Sequence, residues 1–131
     1  MARAWFTNCS LCQNDISELQ LAKGAIAAAA RLLLRKLGAA PRDVTRLFLA
    51  GAFGNYVDRG SAKRIGLIEF EEDKVRPAGN TALLGAKLAL FAGDDERRRS
   101  DALRGRVEHV QLSADPGFED TFIDCLAFPS A

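Results

Sequence analysis

Apolar residues recur at helical spacing from Asp15 to Leu37. At about 100° per residue, Ile16, Leu19, Ile26, Ala27, Ala30, Leu33, Leu34 and Leu37 share one stripe, expected to pack on a sheet. Leu21, Ala28 and Leu32 form a narrower strip nearly opposite. Two apolar faces predict cover on both sides, by the final helix, by a second copy or by a missing domain or partner. Gly38 suits the left-handed position past a helix end, and Pro41 forbids resumption. The segment 1–11, with Trp5 and Phe6, reads as an edge strand or as the remnant of something longer.

The apolar run Val44–Ala50 meets a glycine cluster, Gly51 to Gly60, which predicts a central strand ending in a tight loop. Residues 61–66 suggest a turn or two of helix, and a short strand follows near Val75. Asn80 to Ala92 reads as a helix with Leu84, Leu88 and Phe91 on one face. Residues 94–105 form a charged helix. The alternation over Val107–Leu112 predicts a strand. Asp115 to Leu126 closes the chain as an amphipathic helix carrying Phe118, Phe122, Ile123 and Leu126. Strands alternating with helices argue for an α/β domain with a largely parallel sheet.

Composition narrows the function. A length of 131 residues predicts one domain, 1–131. With 18 Lys+Arg against 17 Asp+Glu, the net charge of +1 gives no electrostatic case for nucleic acid or a membrane surface. No apolar run is long enough to span a bilayer. The first ten residues hold one Arg but no apolar core, so no secretory leader is expected and the cytoplasm is the default compartment. Three cysteines are too few for a disulfide scaffold, and one histidine nearly removes triads and histidine-based metal sites.

Chemistry concentrates at LFLAGAFGNYVD, residues 47–58. An apolar strand opening into Gly51-Ala52-Phe53-Gly54 brings bare backbone to a strand's carboxyl end, the edge at which open α/β sheets bind ligands. Small residues there admit a flat base or a sugar, and backbone N–H groups meet phosphate oxygens. A tight strand-to-helix turn that merely needs glycine explains the same letters. Lys23 interrupts the main stripe of the long helix. It either snorkels past its neighbours or points into a cleft, and Gln20 one turn earlier favours the cleft. Cys9 and Cys12 make a single C-x-x-C. A metal site would need Cys125 and His109 as well, both in core-forming segments, so no metal is expected; a thioredoxin-like role fits only loosely. Arg97, Arg98 and Arg99 alternate with acids at i,i+4 and read as a solvated face. Asp58 and Ser61 read as a helix start.

ISELQLAKGAIAAAARLLL (16–34), LFLAGAFGNYVD (47–58), RIGLI (64–68), AGNTALLGAKLAL (78–90), VEHVQLS (107–113) and FEDTFIDCLAFP (118–129) together resemble the C-terminal domain of the reductive activators of corrinoid proteins. The resemblance covers nearly the whole chain. It implies membership of the acetate and sugar kinase, heat-shock chaperone and actin superfamily. The implied fold is a ribonuclease-H-like, actin-like ATPase subdomain with a largely parallel sheet flanked by helices. Such proteins couple ATP hydrolysis to reduction of a Co(II) corrinoid protein of a methyltransferase system to Co(I). By motif match, Gly51, Ala52, Phe53, Gly54 and Asn55 would occupy the adenosine-binding position, with Gln20 and Lys23 as further contacts and ATP with magnesium as cofactor. Full-length members also carry a [2Fe–2S] ferredoxin-like domain. Three cysteines in another spacing predict no such cluster here, and the superfamily's first phosphate hairpin has no counterpart. The chain is therefore expected to be the nucleotide-binding part of a larger or split activator. The alternative is a non-catalytic module of the same fold that docks to a corrinoid protein or partner subunit.

Overall fold

The computed structural model describes residues 10–130; Cys9, Trp5 and Phe6 lie outside them. The first helix, α1 (Gln13–Lys36), starts after Cys12, where the Asp15 carboxylate accepts hydrogen bonds from the Cys12 N–H at 2.9 Å and the Cys12 thiol at 3.1 Å. These bonds hold the Asp15 carboxyl below its ordinary range. The helix ends at Gly38, φ +64°, with the Ala39 N–H bonded to the Leu34 carbonyl at 2.9 Å.

Strand β1 (Leu47–Ala50) runs into α2 (Ala52–Tyr56) and then α3 (Arg59–Arg64). The expected loop is thus two short helices. Asp58 caps the second by accepting from the Ser61 N–H at 2.8 Å. Strand β2 (Val75–Gly79) pairs with β1 in parallel, from Leu47 opposite Val75 to Ala50 opposite Gly79. The register slips between Leu49 and Ala50, beside Pro77, which has no N–H to give the ladder. Next come α4 (Thr81–Leu90), α5 (Asp94–Arg104) and α6 (Phe118–Leu126).

Among the described residues the sheet has only these two strands. The architecture is mixed α/β with a small parallel sheet, and β1 is not a central strand of it. Residues 107–111 form no strand, contrary to the alternation; a 3₁₀ turn follows at Leu112–Ala114. Alternation makes a strand only where a neighbour offers its backbone, and here Val107 is left 77% exposed.

The core has two parts. Ala62, Ile68, Phe70 and Val75 form one, against which Ala30 and Leu34 of α1 and Leu47 and Leu49 of β1 pack. The other is Ala27 and Ala28 of α1 with Cys125 and Phe122 of α6. The close approach of α1 and α6 needs Gly24: a Cβ there would stand 3.1 Å from Leu126 Cδ2 and 3.4 Å from the Cys125 carbonyl oxygen.

This corrects the reading of α1. Glycine and alanine, with Leu32, make up much of its most buried face. Of the stripe expected to pack on the sheet, Ala30 and Leu34 reach the core beside the strands, while Leu19, Ile26, Leu33 and Leu37 are exposed; of the opposite strip, Ala28 lies under α6, one of its expected covers, and Leu32 is buried, while Leu21 is exposed. Leucine and isoleucine dominate a hydrophobic projection by size, but two backbones approach most closely over glycine and alanine. Accordingly, Leu32→Ala is expected to lower the unfolding free energy by about 2–5 kcal/mol. Leu33→Ala, already 39% exposed, is expected to cost about 1 kcal/mol or less. Urea denaturation followed by circular dichroism separates the two; equal losses would restore the original stripe.

Candidate functional site

Strand β1 ends at Ala50 with Gly51 directly after it, β2 ends in Ala78-Gly79, and the two ends meet. The Gly51 N–H donates to the Gly79 carbonyl at 2.7 Å. Gly51 has φ +91° and ψ +167°, a backbone region essentially confined to glycine. Gly79 has φ +65°. Among the described residues, nothing lies within 4 Å of where a Cβ at Gly51 would stand, so main chain is bare at this edge.

From Gly51 the chain turns directly into α2, whose first residues are Ala52 and Phe53. Gly54 is buried on the return: a Cβ there would lie 2.7 Å from the Leu49 carbonyl oxygen, so the turn folds back onto the strand that it leaves. Asn55 and Tyr56 are exposed, and the Asn55 amide nitrogen lies 3.9 Å from where a Cβ of Gly79 would be. Asn80 caps α4 by accepting from the Leu83 N–H at 2.9 Å. The structure thus gathers Gly51, Ala52, Phe53, Gly54 and Asn55 at the carboxyl end of β1. It also adds Gly79 and Asn80, which motif reading passed over. The signal was present, since Ala78-Gly79-Asn80 repeats the Ala50-Gly51 ending at the next strand.

Gln20 and Lys23 stand together at a different place, the C-terminal end of α6. Gln20 Nε2 donates to the Leu126 carbonyl at 3.3 Å, and Lys23 Nζ donates to the Ala127 carbonyl. Both bonds satisfy carbonyls that the end of α6 leaves without helical partners. Lys23 is only 2% exposed, and its ammonium lies 5.2 Å from the centre of the Phe128 ring. A Cβ at Gly66 would come within 3.0 Å of Pro129 and 3.5 Å of Lys23 Nζ, so residues 127–129 thread a narrow passage between α1 and the turn after α3.

Burial pushes the Lys23 ammonium below the ordinary lysine value, and the Arg31 charge adds to this, while Cys125 and Glu69 oppose it. Arg31 is itself held by Glu69, with Nε to Oε2 at 2.8 Å. Cys125 is buried and its thiol is pushed up by the same loss of water, whereas Cys12 is exposed. Among the described residues, no three His, Cys, Asp or Glu side chains gather as a metal site would require.

The two parallel strands thus end at exposed backbone, and the carboxyl edge of a parallel sheet is where open α/β folds bind ligands. The family follows from comparison: residues 3–131 match the C-terminal domain of RACo, described as its ASKHA domain, and the chain belongs to that family. It is 38% identical over 112 residues to the corrinoid activation enzyme RamQ of Eubacterium limosum, covering 85% of this chain and 19% of that protein. It is 28% identical over 121 residues to the Methanosarcina barkeri [Co(II) methylated amine-specific corrinoid protein] reductase, covering 88% and 22%. The chain therefore spans about a fifth of the curated relatives it matches.

The buried lysine has a consequence for pH. Because folding depresses its pKa, its burial cost is fully present while both states are protonated. As pH rises through the folded value, the folded chain releases the proton first, and stability from this group increases up to the ordinary lysine value. Cys125 works in the opposite direction, its unfolded thiol ionising first. The wild type is therefore to be compared with Lys23→Met, which keeps Cys125. Thermal unfolding across the alkaline range is expected to show a stabilising component in the wild type that the variant lacks. Parallel pH profiles would contradict it.

Proposed function

We propose that this chain supplies the nucleotide-binding part of a protein that uses ATP to drive reduction of a Co(II) corrinoid protein to Co(I). The family assignment and the functions named for the two relatives support the corrinoid half of this reading. The observation that carries the nucleotide half is the meeting of Gly51 and Gly79 at one parallel sheet edge. Two positive-φ glycines, one with no neighbour among the described residues where a side chain would stand, suit the approach of a flat base and ribose to the main chain.

In this reading the side-chain amide of Asn55 donates to and accepts from the nucleoside. Gly54 holds the turn tight against Leu49, and Gly79 keeps the neighbouring strand end low beside Asn55. Asn80 fixes the start of α4 at the same edge. Gln20 and Lys23 act at a distance, by fastening α6 to α1. ATP brings the phosphoanhydride energy for an otherwise uphill electron transfer, and magnesium accompanies it through the phosphate oxygens.

Calorimetric titration with magnesium-ATP tests the proposal. Asn55→Ala removes an exposed side chain without backbone strain and is expected to weaken binding about tenfold to a hundredfold, the worth of two hydrogen bonds. Gly51→Val is expected to abolish it. The valine also strains a glycine-only conformation by roughly 1–3 kcal/mol, so its folding is checked by circular dichroism. A wild type that takes up no ATP would refute the nucleotide role, as would folded variants that bind it equally well.

A further inference from the structure

At the start of β2 two arginines converge on one oxygen. Arg59 Nη1 and Arg76 Nη1 each donate to the Val75 carbonyl, both at 3.2 Å. They come from different elements: Arg59 is the first residue of α3, and Arg76 folds back along β2 onto the residue before it. Val75 is only 1% exposed, while both arginines are exposed, so the pair roofs the carbonyl and faces solvent.

A neutral carbonyl does not balance two cations. Among the described residues no carboxylate does so either, since neither arginine has one within 4.0 Å. The acids of this neighbourhood are turned elsewhere. Asp58 accepts from the Ser61 N–H, Glu71 pairs with Lys63, and Glu72 lies against Gly60. Two like charges held side by side with donors to spare are what an oxyanion site requires. Each guanidinium is a planar fork that spends one N–H on Val75 and keeps the others. Those donors choose the ligand. A carboxylate is filled by a single fork. A phosphoryl group has oxygens enough to take both forks and, as a dianion, charge enough to balance both.

We propose that Arg59 and Arg76 form a binding site for a phosphoryl dianion, either free phosphate or the phosphate end of a small monoester. The site lies at the opposite end of β2 from Gly79. It uses none of the residues of the nucleotide reading and is independent of it. Phe48, opposite Arg76 in the strand register and 60% exposed, offers an apolar neighbour for the organic part of an ester.

Titration of the 131-residue chain with inorganic phosphate at fixed ionic strength, followed by phosphorus NMR, tests this. Saturable uptake of a single phosphate is expected, with acetate a poor competitor. Arg59→Gln and Arg76→Gln put a neutral amide donor in place of the charge. Each is expected to weaken binding about tenfold to a hundredfold with unchanged circular dichroism. Arg59→Lys and Arg76→Lys keep the charge without the fork and are expected to weaken it less. The control Arg106→Gln, at an exposed arginine beyond α5, is expected to bind as the wild type does. Phenyl phosphate separates the sources: tighter binding than inorganic phosphate supports a site for a monoester, and equal or weaker binding supports one for the free ion. A wild type without saturable uptake overturns the proposal, as does acetate that displaces phosphate equally well. Folded pair variants that bind like the wild type overturn it, and so does a control that loses as much as they do. If the glutamine and lysine variants all unfold, the pair serves the edge carbonyl alone and the proposal falls.

Discussion

Everything in this chain hangs on the place where α1 and α6 touch backbone to backbone. Gly24 has no side chain, and Leu126 and the Cys125 carbonyl occupy the space one would need. That approach brings the last carbonyls of α6 within reach of Gln20 and Lys23, and it lays the segment to Pro129 against Gly66. Gly66 follows α3, whose Ala62 belongs to the core beneath the sheet. One helix thus serves two cores: its Gly24–Ala28 face holds α6, and Ala30 and Leu34 hold the strands. Loosening the first contact would shift the element that supports the second.

The sheet edge is simpler in its physics. Parallel pairing aligns the strand ends, so two Ala-Gly pairs arrive side by side without any long-range device. A single hydrogen bond from Gly51 to Gly79 then fixes their relative height. Glycine is required at both positions by backbone conformation, whatever binds there. The same letters that permit a ligand to approach are also demanded by the turn itself.

Much of this was legible in the sequence. Gly38 and Pro41 marked the end of α1 within a residue, and the passage from Leu47–Ala50 into glycine located the strand and its edge. Asp58 and Asn80 announced helix starts through their capping chemistry. The failures have physical causes. Val107–Leu112 alternates like a strand but lacks a neighbour to pair with. The inner face of α1 was placed only in part, through Ala27, Ala30 and Leu34, because an apolar projection weighs leucine above glycine and alanine. Lys23 was ambiguous for a related reason: the chain alone could not reveal that a carbonyl more than a hundred residues away would accept its hydrogen bond. The pairing of Gly51 with Gly79 required the parallel register, which only the fold supplies.

The bond from Lys23 to Ala127 spans 104 residues, and this separation sets an order of events on the ribosome. Synthesis at about 5–20 residues per second leaves roughly 5–20 s between the appearance of the lysine and that of its acceptor. Throughout that interval α1 presents a cation, a bare glycine and two alanines on the face meant for α6. The nascent helix can settle on the strands through Ala30 and Leu34, but its other side stays open until translation has passed Pro129. A chain that stops short of α6 therefore leaves the Gly24–Ala28 face of α1 without its cover.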